Sequence, residues 1–306
     1  MKKEMILLLL LIVMSSCTNL PFVPSKQSIT IPQTHQGTHG VDVYFLDNAP
    51  PFEVFENQLI DIGISVENKG AVDVQNGVYV FGVPEDVATN DVVYGRFGVS
   101  GKKLFNPFGD MKKYVLKGRA RELGSQFERV KSVVSVDVCY PYRTEVSVPV
   151  CINPETEGMT LHKKVCTASA KSLSSQGAPV AVVLVDAPQI VPHENPGLVK
   201  PQITLKVKNV GQGTVVSKTR FADACSQSGS KDLYNRISVG GTLSDFQLSC
   251  YPHELVLSQG ENTIVCSLED GLEKSRGSHE ALLNVNLDYG YVLKKTRPLT
   301  IKRALV

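Results

Sequence analysis

The stretch Ile60 to Gly70 constrains this chain more than any other part of it. Ile60, Ile62, Ile64 and Val66 are apolar at every second position, with Asp61, Gly63, Ser65 and Glu67 between them. Period two puts the four aliphatics on one face of a strand with one side against a core. Asn68-Lys69-Gly70 then ends it with turn chemistry. The same order of residue types returns at Ile203 to Gly211, again closing on Asn-x-Gly. The flanking strands recur with it. Val180–Asp186 answers Val41–Asp47, Val191–Asn195 answers Val54–Asn57, and Val285–Tyr291 answers Val136–Tyr142. A spacing of about 140 residues signals tandem domains, since solenoid repeats run about 20–50. The expected fold is all-β: two antiparallel sandwiches over 41–152 and 178–306, joined by a connector at 153–177. Valine runs bounded by Gly, Pro, Asn and Asp, with no helix-period segments, agree with this reading.

The first residues bear on compartment. Lys2 and Lys3 precede an unbroken apolar run, Met5 to Met14, followed by Ser15 and Ser16. The run is too short for a membrane span, which needs about 20 residues. Its layout is that of a signal peptide over 1–16. Ser15-Ser16-Cys17 resembles the end of a lipoprotein cleavage box, with Met14 where leucine is usual. The resemblance implies that Cys17 becomes the lipid-bearing N-terminus; the alternative is an ordinary signal peptide cut nearby. Residues 17–40, rich in Pro, Gly and polar side chains, read as a flexible tether. No second apolar span follows, so anchoring is expected from the N-terminus alone.

Seven cysteines are present; with Cys17 set aside, six remain. An even number in an exported chain points to disulfides. Cys139 and Cys151 flank Tyr140-Pro141-Tyr142, read as a tight turn between two strands, so they are expected to pair across a hairpin. Cys250 and Cys266 flank a second strand pair around Ser258–Glu261 and are paired on that ground. Cys166 and Cys225 are joined by elimination. A zinc site is disfavoured, because no Cys-x2-Cys pair exists.

Each half has several short strands and the length of an immunoglobulin-like sandwich, about 100 residues. The Ile-x-Ile-x-Val-x-Asn-x-Gly segment at 62–70 and 203–211 resembles the adhesion-related, CARDB-type immunoglobulin-like domains of prokaryotic cell-surface proteins. The resemblance covers the first three strands of each half. It implies two tandem immunoglobulin-like sandwiches with a role in adhesion, envelope structure or presentation of other modules.

Catalytic motifs are not found. The chain has no Gly-x-Ser-x-Gly elbow, phosphate loop or His-Glu-x-x-His helix. Asp186, Glu194 and Asp288 offer oxygen ligands of the kind calcium takes, without a calcium-loop pattern. No cofactor or metal is expected. Lys plus Arg is 32 and Asp plus Glu is 30, so nothing suggests nucleic acid. Residues 84–113 form a long excursion whose aromatics, Tyr94, Phe97, Phe105 and Phe108, are either a partner-binding loop or packing onto the sandwich. The expectation is an exported, lipid-anchored, non-enzymatic envelope protein with structural, adhesive or protein-binding work and other envelope proteins as partners. The alternatives are an accessory subunit of an envelope or secretion machine and an envelope hydrolase with an unfamiliar site.

Overall fold

Even-numbered residues from Val134 to Ile152 are buried without a break, and the alternation passes straight through Pro141. The turn expected at Tyr140–Tyr142 is therefore one continuous strand. The computed structural model describes residues 34–154, 164–226 and 230–304. The expected signal peptide, Cys17 and the start of the expected tether lie outside the described residues.

The first half contains β1 (Val41–Phe45), β2 (Glu53–Phe55), β3 (Leu59–Asn68), β4 (Val74–Gly82), β5 (Val87–Ala88), β6 (Tyr94–Val99), β7 (Met111–Ala120) and β8 (Arg129–Ile152). A short β9 (Lys171–Ser172) lies in the connector. The second half contains β10 (Val180–Val185), β11 (Gln189–Pro192), β12 (Leu198–Asn209), β13 (Thr214–Val216), β14 (Arg236–Leu243), β15 (Phe246–Gln247), β16 (Ser249–Tyr251), β17 (Glu254–Val256), β18 (Asn262–Ser267), β19 (Leu272–Glu273) and β20 (His279–Lys302). Among the described residues one α-helix, α1 (Phe221–Cys225), follows β13, beside three single-turn 3-10 helices.

Each half has a sheet of its own, β1-β3-β7-β5 in the first and β16-β18-β12-β10-β9 in the second. The third sheet belongs to both: β15-β14-β20-β8-β4-β6. At its centre β8 and β20 pair antiparallel over their full 24 residues, from Arg129↔Lys302 to Ile152↔His279. The two halves thus share a nine-stranded sheet, and residues Gln33–Val306 are one compact unit. β20 runs past the centre into the first half, where its last residues, Thr300–Lys302, pair parallel with β2. The all-β expectation holds; the continuous β8–β20 ladder is what the separate-domain reading did not include.

Near the midpoint Tyr140 faces Tyr291 and Tyr142 faces Tyr289, on either side of Pro141↔Gly290. The four rings are buried side by side. Their hydroxyls serve matching partners in the two halves. Tyr140 accepts from the Val41 amide at 3.1 Å, and Tyr289 from the Val180 amide at 3.3 Å. Tyr142 accepts from the Val72 amide at 3.2 Å, and Tyr291 from the Gly213 amide at 2.7 Å. Burial raises the Tyr140 and Tyr289 phenols well above their usual value and pushes Tyr291 up to about 12.

The cysteines correct two of the three expected pairings. Cys139 bonds Cys225 and Cys151 bonds Cys166, whereas Cys250 bonds Cys266 as expected. Cys139 and Cys151 sit twelve positions apart on one extended strand, about 40 Å at 3.3 Å per residue, and cannot meet. Cys225 instead reaches Cys139 from α1, tying the second half's helix to the first half's strand. Asp288 stands at the place in β20 that matches Cys139. Burial raises its carboxyl, but hydrogen bonds from Arg143 and Lys218 outweigh that and hold it below the usual carboxylate range. Arg143 grips it with both Nε and Nη2 at 2.9 Å, so Asp288 is committed to cationic side chains.

Residues 34–40, expected as the end of a flexible tether, lie against this body. The Gly37 amide donates to Ser175 Oγ at 3.0 Å, and the Gly40 carbonyl accepts from the Lys69 amide at 2.9 Å.

Candidate functional site

The Asn-x-Gly turn is the seat of the candidate site. Asn68 Oδ1 accepts from the Gly70 amide at 3.0 Å, and Asn68 Nδ2 donates to the Val72 carbonyl at 2.9 Å and the Val99 carbonyl at 3.1 Å. One side chain therefore fixes the turn and the end of β6. From there the chain makes an excursion over Ser100–Asp110 before β7. The Lys102 amide donates to the Gly70 carbonyl at 2.8 Å, and Gly101 donates to Asp73 Oδ1 at 2.8 Å. Gly101 and Gly109 lie so close to the Ala71 and Asn68 backbones that a side chain at either would collide with main-chain atoms.

The excursion is ordered by its own hydrogen bonds. Lys103 and Asn106 exchange backbone hydrogen bonds at 2.9 and 3.0 Å, which makes a tight turn with Leu104 and Phe105 at its tip. Asn106 Nδ2 donates to Asp110 Oδ1 at 3.0 Å, and the Ser100 amide donates to Asp110 Oδ2 at 3.1 Å. Hydrogen bonds from Ser100, with help from Asn106, hold the Asp110 carboxyl below its usual range. Lys103 Nζ meets Asp73 Oδ2 at 2.8 Å, and this contact lowers the Asp73 carboxyl. Phe105 is 96% exposed and Phe108 78%, with Leu104 and Met111 also more than half exposed.

The four aromatics, read either as a partner-binding loop or as packing onto the sandwich, divide between the two. Phe105 and Phe108 stand on the loop. Phe97 is 3% exposed, its ring lying over Gly77 in the core, because its position on β6 faces inward. Tyr94 is exposed but sits at the other end of β6 from Ser100. Leu104, Met111 and the lysines around them were missed. The signal was the symmetric run Lys102-Lys103-Leu104-Phe105 and Met111-Lys112-Lys113.

A depression of about 570 Å³ lies elsewhere, beside the Glu145–Ser147 stretch of β8, and His35 and Glu145 are its ionisable lining residues. Three of its polar side chains are bonded within the fold: Ser147 Oγ donates to Asn284 Oδ1 at 2.8 Å, and Gln176 exchanges two hydrogen bonds with the Val182 backbone. Among the described residues no three His, Cys, Asp or Glu side chains converge on a possible metal position. Also among them, no helix is long and apolar enough to cross a membrane. Three disulfides indicate an oxidising, extracytoplasmic environment. Comparison of the chain with protein-family models finds no match, and comparison with curated proteins finds no similar sequence.

Proposed function

We propose that this is a non-catalytic envelope protein, exported and held at a membrane by lipid on Cys17, which works through surface contact in a structural, adhesive or protein-binding role. The observation that carries the reading is the Ser100–Asp110 loop: a backbone fixed by hydrogen bonds holds Phe105 and Phe108 in water. Exposed apolar groups on an ordered support are a feature of contact surfaces. The cleavage box at Ser15-Ser16-Cys17 supports anchoring, and the disulfides suit an exported protein. Growth of cells producing the wild-type chain or Cys17→Ala with an alkyne-tagged fatty acid tests it. The wild type should incorporate the label and the variant should not; an unlabelled wild type, or equal labelling of both, would refute the anchor.

A further inference from the structure

The apolar loop is not something the fold requires, because the molecule contains its own control. β6 and β7 of the first half correspond to β17 and β18 of the second: each first strand pairs with the equivalent part of β4 or β14, and each second strand with β3 or β12. The link between β17 and β18 closes in the same way, with the Ser258 amide donating to Asn262 Oδ1 at 2.8 Å as Ser100 donates to Asp110. Only Gln259, Gly260 and Glu261 lie between those two residues, and all three are exposed. The first half fills the same gap with Gly101 to Gly109 and spends the extra length on Leu104, Phe105, Pro107 and Phe108. Folding gains nothing from holding these side chains in water.

The chemistry around the tip identifies its partner. Lys102 and Lys103 precede the apolar residues, and Lys112 and Lys113 follow them. Against these four cations stand Asp73, paired with Lys103, and Asp110, turned back into the loop toward Ser100 and Asn106. The tip is convex, apolar at its point and basic at its shoulders. That is the pattern of an element which sinks a few ångströms into the boundary between head groups and acyl chains while cations meet lipid phosphates. The chain also enters the body here: a side chain on Gly37 would lie 4.0 Å from Lys102 Nζ, and the Gly37 amide is held by Ser175. From Cys17 to Thr34 the chain can extend at most about 60 Å.

We propose that the loop from Lys102 to Lys113 is a membrane-contacting wedge whose partner is an anionic lipid surface, with Phe105 and Phe108 as the inserted groups. The inference deepens the reading of the protein as membrane-held by naming what its contact surface touches.

The chain contains no tryptophan, so Phe105→Trp creates a single reporter at an almost fully exposed position. The experiment uses the full chain carrying Cys17→Ala, which removes the lipid, with vesicles of phosphatidylglycerol and phosphatidylcholine or of phosphatidylcholine alone. The leader's own apolar run can bind vesicles, so the location of residue 105 is read rather than sedimentation. Emission of the Phe105→Trp reporter should shift to the blue with anionic vesicles and be quenched by brominated acyl chains. The shift should weaken with added salt, and it should need about tenfold more lipid when Lys112→Glu and Lys113→Glu are added. A separate Tyr251→Trp reporter, at an exposed position in the second half, should stay unshifted. Unshifted emission from Phe105→Trp, or equal shifts at 105 and 251, would overturn the wedge, as would a photocrosslinker at 105 that captures only protein in intact cells. Fatty-acid labelling at Cys17 reads the lipid anchor separately, so a chain that is labelled at Cys17 while the reporter at 105 stays in water rejects the wedge and leaves the anchor standing.

Discussion

Gly70 and Gly211 show what the Asn-x-Gly repeat is for. A Cβ on Gly70 would sit 1.9 Å from the Tyr142 hydroxyl and 2.6 Å from the Gly177 carbonyl. A Cβ on Gly211 would sit 2.3 Å from the Tyr291 hydroxyl. The turn is glycine because a buried tyrosine hydroxyl from a strand far along the chain docks onto it. Gly70→Ala should therefore destabilise the protein by about 3 kcal/mol, at the upper end of overpacking, measured by urea denaturation. Tyr142→Phe in the same chain should recover part of that loss, since it removes the nearest colliding atom while the Gly177 carbonyl remains. An unchanged denaturation midpoint for Gly70→Ala would show that the docking is not tight. The residue pattern revealed the turn and its strand, but the tyrosine that needs the turn belongs to another sheet. Residue type alone separated Phe97 from Phe105 no better. Both are aromatics in one excursion, and only the register of β6 against β4 turns Phe97 onto Gly77.

Among the elements, β8 was the most legible and the most misread. Its alternation is visible from Val134 to Ile152, yet Tyr140-Pro141-Tyr142 looked like a turn because proline commonly starts one. Proline also fits strands whose amide edge is unpaired. Pro149 in β8 and Pro298 in β20 lie at matching positions, where neither strand has a second neighbour beside the other long strand. A missing donor there blunts edge-to-edge association. The disulfides follow from this geometry. Cys139–Cys225 closes 86 residues, whereas Cys151–Cys166 and Cys250–Cys266 close 15 and 16. Chain entropy makes the first worth about 4.6 kcal/mol and the others about 3 each. Non-reducing peptide mapping should recover the 139–225 pair, and Cys139→Ser with Cys225→Ser should lower the denaturation midpoint most. A recovered 139–151 peptide would contradict the continuous strand. Pairing between cysteines so far apart could not be read from spacing, because it depends on where α1 lands on the far half.

At the scale of the whole molecule, each half offers part of its long strand to the other. Val146, Val148 and Val150, in the C-terminal part of β8, pair with Val285, Leu283 and Ala281 of β20, which is held on its other edge by β14 of the second half. Leu299 and Ile301 of β20 are buried in turn beside the first half's β2 and the opening of β8. Unfolding either half would strip the other of a central strand, expose its apolar face and break the tyrosine cluster. The repeat in the sequence pointed to two sandwiches, and separate sandwiches joined by a connector would melt as two units. The shared ladder instead requires one transition. Leu205 is fully buried in the second half, and Leu205→Ala should cost about 2–5 kcal/mol through the cavity it leaves. The slowest-exchanging amides of β3 in the first half and of β12 in the second should then report the same opening free energy and fall together when Leu205→Ala is added. Calorimetric and van't Hoff enthalpies of the lipid-free chain should agree, as a two-state unit demands. Separation of the two values, with β3 unmoved by a cavity in the second half, would mean that β8 and β20 pair without coupling the halves. That result would restore the picture of two independent domains.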